Sequence, residues 1–561
     1  MGYTKIYLSV QKQSGIHVQY SENHLQKSMR ILFKKGKNTG RGSAFCRKEI
    51  MFASVLSASI LGMEVCPIQV EADVSDGLPS FTMVGYPSAQ VKEAQDRVRT
   101  ALRNNGISLP PKRVTVNFVP ADIKKEGAGF DIPVAAAVLS AAGILHPSLL
   151  EGVMLAGEIS LNGEIYPVPG ILARVIKARE LKCRYCMVPY GNLQEARLVK
   201  DMPVIGVKDL KELIRYLKNP EDFHKENPDR PSPKETENEC KIRVDFLDIH
   251  GQEGAKRACE IAVSGFHNIL FIGPPGAGKT MLAKRLPTIM PQLTFEESLE
   301  LTRIYSIAGL LSADSPLICQ RPYRSPHHTS SAQAMAGGGR IPGPGEVTLA
   351  HRGVLFLDEM PEFSRRSLEI LRQPMEDKVI QLSRASGTFT FPAGFMLAAA
   401  MNPCPCGFFP DMNRCRCTPG EVSHYLGKIS NPLLDRIDLC TEVSPVSFQQ
   451  MNGAPEGESS DTIRERVERT RQIQLERYQK ENICFNGELS GRQIQKYCGV
   501  TEEGNRLLEQ AFRKMELSGR AYHRILKVAR TIADMEQEDK IHVSHISQAL
   551  SYRAFDKKYW V

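Results

Sequence analysis

Apolar runs bounded by glycine, proline or charge recur along this chain, and their spacing separates strands from helices. Val65–Val74 and Arg113–Val119 read as strands, Ala89–Asn104 as an amphipathic helix and Pro133–Ala142 as a buried helix. His267–Gly273, Gly353–Asp358 and Leu397–Asn402 are apolar runs of strand length, and Met281–Leu286 keeps helical spacing up to Pro287. Lys378–Pro392 alternates around a Ser-Gly turn and predicts a hairpin. Towards the C-terminus, Asp461–Lys480 repeats charge on most faces and predicts an exposed helix. Glu502–Leu517 and Ala521–Glu536 carry apolar residues at helical spacing.

Two stretches interrupt this pattern. Asn219–Glu239 is proline-rich and charged, the composition of a linker that buries no core, and Met451–Ser460 is a polar patch. The expected organisation is therefore a basic extension over 1–50, an N-terminal domain over 51–217, a linker over 218–239, a core over 240–450 and a helical region over 461–561.

Composition sharpens the picture in three places. A chain of 561 residues with 42% hydrophobic content holds about three domains with proper cores. The longest apolar run, Ile132–Leu145, falls short of the ~18–20 residues of a spanning helix, and fourteen scattered cysteines suit a reducing cytoplasm. Of the net charge of +9, residues 1–50 supply +8, so the remaining body is nearly neutral and overall charge is no argument for DNA binding. Met51 is the expected native start. The alternative is a disordered basic arm that touches polyanions.

Chemistry enters at Gly273-Pro274-Pro275-Gly276-Ala277-Gly278-Lys279-Thr280, which lies between an apolar strand and a helix. Small residues there expose backbone N–H groups to the phosphates of a nucleoside triphosphate, Lys279 adds a point charge, and Thr280 offers a hydroxyl to Mg²⁺. Gly353–Glu359 is an apolar strand ending in two carboxylates. Asp358 belongs on the Mg²⁺ shell, and Glu359 is placed to polarise the attacking water. Taken singly, Asn402 reads equally as a turn former and Arg436 as a surface ion-pair residue. Following an Asp-Glu strand in this order, they read as a nucleotide-sensing amide and an arginine finger.

These residues, with Gly251-Gln-Glu-Gly-Ala-Lys-Arg-Ala, Arg324-Ser-Pro-His-His-Thr-Ser-Ser, Met401-Asn-Pro-Cys-Pro-Cys-Gly and Ser518-Gly-Arg-Ala-Tyr-His-Arg, resemble the YifB/ComM family. That family belongs to the magnesium-chelatase-like AAA+ ATPases, and the similarity runs from about Met51 to about Arg553. The resemblance implies an α/β fold: an AAA+ P-loop core with a C-terminal helical lid, preceded by an α+β domain of the Lon-protease/S5-like kind. It implies ATP and Mg²⁺ as ligands, and Arg520 as a second sensor reaching the γ-phosphate from the lid. A homo-hexameric ring follows, in which Arg436 completes the neighbour's site. The ring would act as a branch-migration motor on forked or branched DNA in natural transformation. A chelatase motor and a protein remodeller are the alternatives.

Where Lon-type proteolysis needs a serine and a lysine, this chain has Gly129 and Leu172. Neither can perform the chemistry, so the N-terminal domain is expected to be a proteolytically inactive scaffold. Lys279 and Asp358 are 79 residues apart, and the excess includes a glycine-rich stretch, Ala334–Gly345, that cannot be regular helix. The resemblance places this stretch and the predicted hairpin in the central channel, with Arg340, Lys378 and Arg384 as candidate phosphate-backbone contacts. His327 and His328 read as structural or channel-lining. Finally, Cys404-Pro-Cys406 and Cys415-Arg-Cys417 put four thiols within fourteen residues, enough to close a tetrahedral Zn²⁺ site beside Asn402. Free cytosolic thiols are the alternative.

Overall fold

The computed structural model describes residues 52–227, 244–312, 315–339, 342–384, 387–411, 413–446, 448, 457–481, 483–553 and 559. The basic extension, the later part of the linker, most of the polar patch and Arg340 lie outside the described residues.

The N-terminal part contains β1 (Phe52–Leu61), β2 (Glu64–Ser75), β3 (Ser80–Val84), β4 (Arg113–Val119), β5 (Val153–Leu155), the small pair β6 (Glu158–Ile159) and β7 (Ile165–Tyr166), β8 (Tyr185–Pro189) and β9 (Val204–Val207). Seven of these form one mixed sheet in the order β3-β4-β2-β1-β5-β8-β9. β1, β2 and β4 pair antiparallel, and β5, β8 and β9 continue in parallel. The helix Asp131–Ala141 buries every residue, as its unbroken apolar run predicts. Its buried Asp131 carboxylate accepts from Arg97 Nε at 2.7 Å and from the Ile159 N–H at 3.1 Å, which satisfies a charge that burial would otherwise penalise.

The predicted linker is shorter than its composition suggests. Pro220–Glu226 is a helix, with proline in its first turn and acidic Glu221 and Asp222 beside it. It buries Phe223 edge-on against Tyr216 at 5.5 Å. One aromatic side chain with a ready partner outweighs the charged residues around it.

The core contains β10 (Ile269–Ile272), β11 (Tyr323–Arg324), the short pair β12 (Gly337–Gly338) and β13 (Gly343–Pro344), β14 (Val354–Leu357), the hairpin β15 (Val379–Arg384) and β16 (Gly387–Pro392), β17 (Met396–Met401) and β18 (Leu439–Glu442). Five strands form a parallel sheet in the order β11-β14-β17-β10-β18. Their apolar runs lack polar alternation because both faces are covered. Phe271, Phe356 and Ala398 face one cluster, and Leu270, Leu355 and Ala399 face the other.

The first of these clusters continues into the C-terminal helices Ser460–Arg477, Gly491–Tyr497, Glu502–Lys514, Gly519–Met535 and Val543–Ser551. Here one expectation is corrected. The helix Ser460–Arg477 is not exposed on all faces, because Ile463, Val467, Thr470, Arg471 and Gln474 are buried along one stripe. Arg471 pairs with buried Glu297 at 3.0 Å, and Gln474 donates to the Ser264 carbonyl at 2.9 Å. Polar side chains with fixed partners thus occupy positions that a hydrophobic pattern leaves unmarked.

A second buried network locks the helical region. Asp534 accepts from Arg477 Nη1 at 2.7 Å, Arg530 Nε at 3.0 Å and Asn486 Nδ2 at 2.8 Å. Asp534→Ala leaves the buried Arg530 and the partly buried Arg477 guanidiniums without their carboxylate and is expected to destabilise the chain by about 3–5 kcal/mol. A thermal melt checks this, and an unchanged Tm contradicts it.

The N-terminal part and the core belong to one compact unit, Ile50–Val561. The helix Phe295–Ile307 lies on the helix Ile171–Glu180, with the Gly170 N–H donating to the Ser306 carbonyl at 2.8 Å. The β15–β16 hairpin also leans on the β1–β2 turn: a side chain at Gly62 would begin 3.0 Å from the Phe389 ring.

Candidate functional site

The phosphate-type loop leaves β10, Asp358 and Glu359 leave β14, and Asn402 leaves β17. These three strands are neighbours in a parallel sheet, so their carboxyl ends open onto one crevice. Residues more than a hundred positions apart therefore meet without any long excursion of the chain.

Within the loop, Gly276 and Gly278 adopt φ of +75° and +94°, a region that side chains avoid, and added Cβ atoms there would meet only open space. Lys279 begins the helix Lys279–Ile289. Its ammonium donates to the Gly273 carbonyl at 2.8 Å, the Pro274 carbonyl at 2.9 Å and Asn402 Oδ1 at 3.0 Å. Burial pushes the Lys279 pKa down, against the opposing pull of Asp358 and Glu359. Thr280 Oγ1 donates to Asp358 Oδ2 at 2.9 Å. A partly desolvated cation held by neutral oxygens, beside open loop space and a hydroxyl–carboxylate pair, fits a nucleoside triphosphate with Mg²⁺.

Glu359 sits at the rim. Its backbone is left-handed, at φ 51°, a conformation that costs a non-glycine residue ~1–3 kcal/mol and concentrates at functional positions. Its carboxylate is exposed, and His328 Nδ1 lies 3.9 Å away. His328, read in sequence as structural or channel-lining, thus stands beside the Glu359 carboxylate that follows β14. A histidine pair with no metal partner in sequence carries no signal for that placement.

Arg436 and Arg520 lie elsewhere. The Arg436 carbonyl accepts from Asn268 Nδ2 at 2.8 Å, and Asn268 directly precedes β10. Five residues of strand at roughly 3.3 Å each separate Asn268 from Gly273, so Arg436 sits at the opposite end of the sheet, about 16 Å away. Its side chain is nearly buried and pairs with Glu376 at 2.6 Å. Arg520 comes to 4.0 Å of the same Glu376 oxygen and is largely exposed. The helix that begins at Gly519 therefore starts beside the Arg436 end of the sheet, with Arg520 near Glu376. Glu376, which joins the two arginines, was missed; in sequence it is one acid among many.

Of the candidate channel residues, Lys378 ends the helix Arg372–Asp377 at φ 57° and is half-buried. Burial lowers its pKa, with Glu488 and Asp438 pulling the other way. Arg384 stays exposed at the end of β15. Gly129 and Leu172, set in sequence against a Lon-type serine and lysine, lie in packed surroundings. Arg174 Nη2 lies 3.3 Å from where a side chain at Gly129 would begin, and Leu172 is fully buried.

The four cysteines do converge: Sγ atoms of Cys404, Cys406, Cys415 and Cys417 all lie within 4.8 Å of one another. Backbone N–H groups of Arg416 and Phe408 bring the Cys406 thiol down to about 6. Among the described residues no helix is long and apolar enough to cross a membrane.

A loop after the first core strand, an Asp-Glu pair after a second and an amide after a third define a P-loop nucleotide-binding protein of the AAA+ class. The magnesium chelatase, subunit ChlI, model matches residues 245–451, the model of subunit ChlI of Mg-chelatase matches 70–192, and the ChlI C-terminal model matches 457–553. The YifB protein of Salmonella typhimurium is 44% identical over 511 residues, covering 90% of this chain and 97% of its own length. Competence protein ComM of Haemophilus influenzae is 42% identical over 509 residues, with 90% and 97% covered. Lon protease 2 of Bacillus subtilis is 29% identical over 176 residues, covering 29% of this chain and 31% of its own. The chain belongs to the YifB/ComM family of magnesium-chelatase-like AAA+ proteins.

Proposed function

We propose that this protein is a Mg²⁺-dependent ATPase that assembles as a hexameric ring and drives branch migration of forked or branched DNA during natural transformation. The observation that carries the reading is the separation of two half-sites. Lys279, Thr280, Asp358, Glu359 and Asn402 cluster at one end of the sheet, while Arg436 stands at the other. A cation held at the far end of its own sheet is placed to serve a pocket on another copy, and head-to-tail contacts of that kind can close into rings. The likeness to a competence protein supports DNA as the polymer moved.

Each residue then has one task. Backbone N–H groups of the loop and the Lys279 ammonium cradle phosphate oxygens, and Thr280 with Asp358 would hold Mg²⁺. When bound, Mg²⁺ neutralises charge that develops on the phosphate oxygens. Glu359 accepts hydrogen bonding from the attacking water, and Asn402, already bonded to Lys279, reports the state of the phosphate. Arg384, exposed at the tip of the hairpin, remains available to a polyanion.

The test compares ATPase rates with forked DNA, single-stranded DNA, unfolded protein and porphyrin, at two salt concentrations. Stimulation by DNA alone is expected, weakening steeply with salt as counterions are released. Stimulation by unfolded protein or by porphyrin overturns the DNA assignment in favour of a remodeller or a chelatase motor.

A further inference from the structure

We propose that Cys404, Cys406, Cys415 and Cys417 bind one Zn²⁺ ion, and that this ion braces the nucleotide-binding loop. The metal site stands on its own geometry, and the bracing rests on reading Gly273–Thr280 as the nucleotide loop.

The sulfurs are spaced for a single ion. Cys404 and Cys406 are 3.3 Å apart, Cys406 and Cys415 3.6 Å, and Cys404 and Cys415 3.8 Å. A tetrahedral site with Zn–S of about 2.3 Å places its sulfurs about 3.8 Å apart. None of these separations is a disulfide bond. A [4Fe–4S] cluster spreads its thiolates over four irons, which sulfurs packed this tightly cannot do. Cys404, fully buried, also accepts N–H bonds from Gly407 at 3.2 Å and Phe409 at 3.4 Å. Such donors orient a thiolate ligand, and they are the backbone partners that closed metal sites recruit. Cys404 belongs to the buried apolar cluster of the core, and the partly buried Cys406, Cys415 and Cys417 pack against it.

The wiring to the nucleotide loop is direct. Gly407 holds φ +87°, and a side chain there would strike Pro275 Cδ at 2.4 Å. The turn between the cysteine pairs therefore rests on the second proline of the loop. On its other flank, Cys404 follows Asn402 by two residues, and Asn402 accepts from Lys279 at 3.0 Å. An ion fixing Cys404 and Cys406 fixes both contacts, one through Pro275 and one through Asn402. Binding converts thiols to thiolates and releases protons to solvent, with no change of oxidation state.

The experiment uses the full chain, prepared reduced and without chelator. Elemental analysis is expected to find one zinc per chain. Titration with an organomercurial should release it, seen with a chromogenic chelator. In the same samples the Kd of a fluorescent ATP analogue should rise about tenfold. Stripping the mercurial with dithiothreitol and re-adding zinc should restore both, which separates the four ligands from other thiols such as exposed Cys319. The Cys415→Ser, Cys417→Ser double variant should behave as the stripped protein, and the release experiment on the unaltered chain stands if that variant fails to fold. Reduced protein that carries no zinc overturns the metal site. Zinc whose release leaves the Kd unchanged overturns the bracing. Zinc-bearing protein that binds no nucleotide at all overturns the nucleotide reading instead.

Discussion

Glu359→Gln is expected to bind ATP with nearly unchanged affinity and to lose turnover by ~10²–10⁴-fold, the range over which a positioned proton acceptor contributes. The amide keeps the shape and the hydrogen-bonding reach of the carboxylate but cannot take a proton. Affinity survives because Glu359 is exposed at the rim, while the cradle is made by Lys279, Thr280 and backbone groups deeper in the crevice. Single-turnover hydrolysis alongside equilibrium binding of a fluorescent nucleotide separates the two effects. Normal turnover in this variant removes Glu359 from the chemistry.

Arg436→Ala should be as severe for the opposite reason. An arginine finger contributes ~10³–10⁵ in kcat, and here it would be removed from the pocket of another subunit. Neither Arg436→Ala nor Lys279→Ala alone should hydrolyse ATP. Random mixing at equal amounts should recover activity, up to about a quarter of wild type, since about one junction in four pairs an intact loop with an intact finger. Arg436 is nearly buried against Glu376, so its loss could also loosen the fold. Arg436→Lys guards against that reading: it keeps the charge but not the planar fork, and should fold while remaining slow. Mixed rings that stay inactive, built from well-folded subunits, contradict a shared site.

Much of the nucleotide site was legible in the sequence because its parts are local. A Gly-rich loop between a strand and a helix, and carboxylates at a strand end, announce their chemistry within a few residues. Which strands are neighbours is not local, yet the parallel sheet makes it simple: loop, Asp358 and Asn402 share one edge because β10, β17 and β14 are adjacent. The residues that escaped are those whose meaning lies in a partner. Glu376 gains its place only from Arg436 and Arg520, and His328 only from Glu359. The same holds for fold. Ser460–Arg477 looks exposed until Glu297 and the Ser264 carbonyl supply partners for its buried polar stripe, and Pro220–Glu226 looks like linker until Tyr216 receives Phe223.

The pairing of both arginines with Glu376 also bears on assembly. In the single subunit Arg436 is neutralised by a carboxylate of its own chain. In the proposed ring, closure would exchange that carboxylate for the neighbour's phosphate and so tie the gain in catalysis to the contact between copies.

The most direct measurement is ATPase rate per subunit across a wide range of protein concentration, with oligomer size followed in the same samples. Because Arg436 and the Lys279 cradle stand at opposite ends of the sheet, the specific rate should collapse as the assembly dissociates on dilution. A specific rate that stays at its full value in samples containing only single subunits contradicts the account.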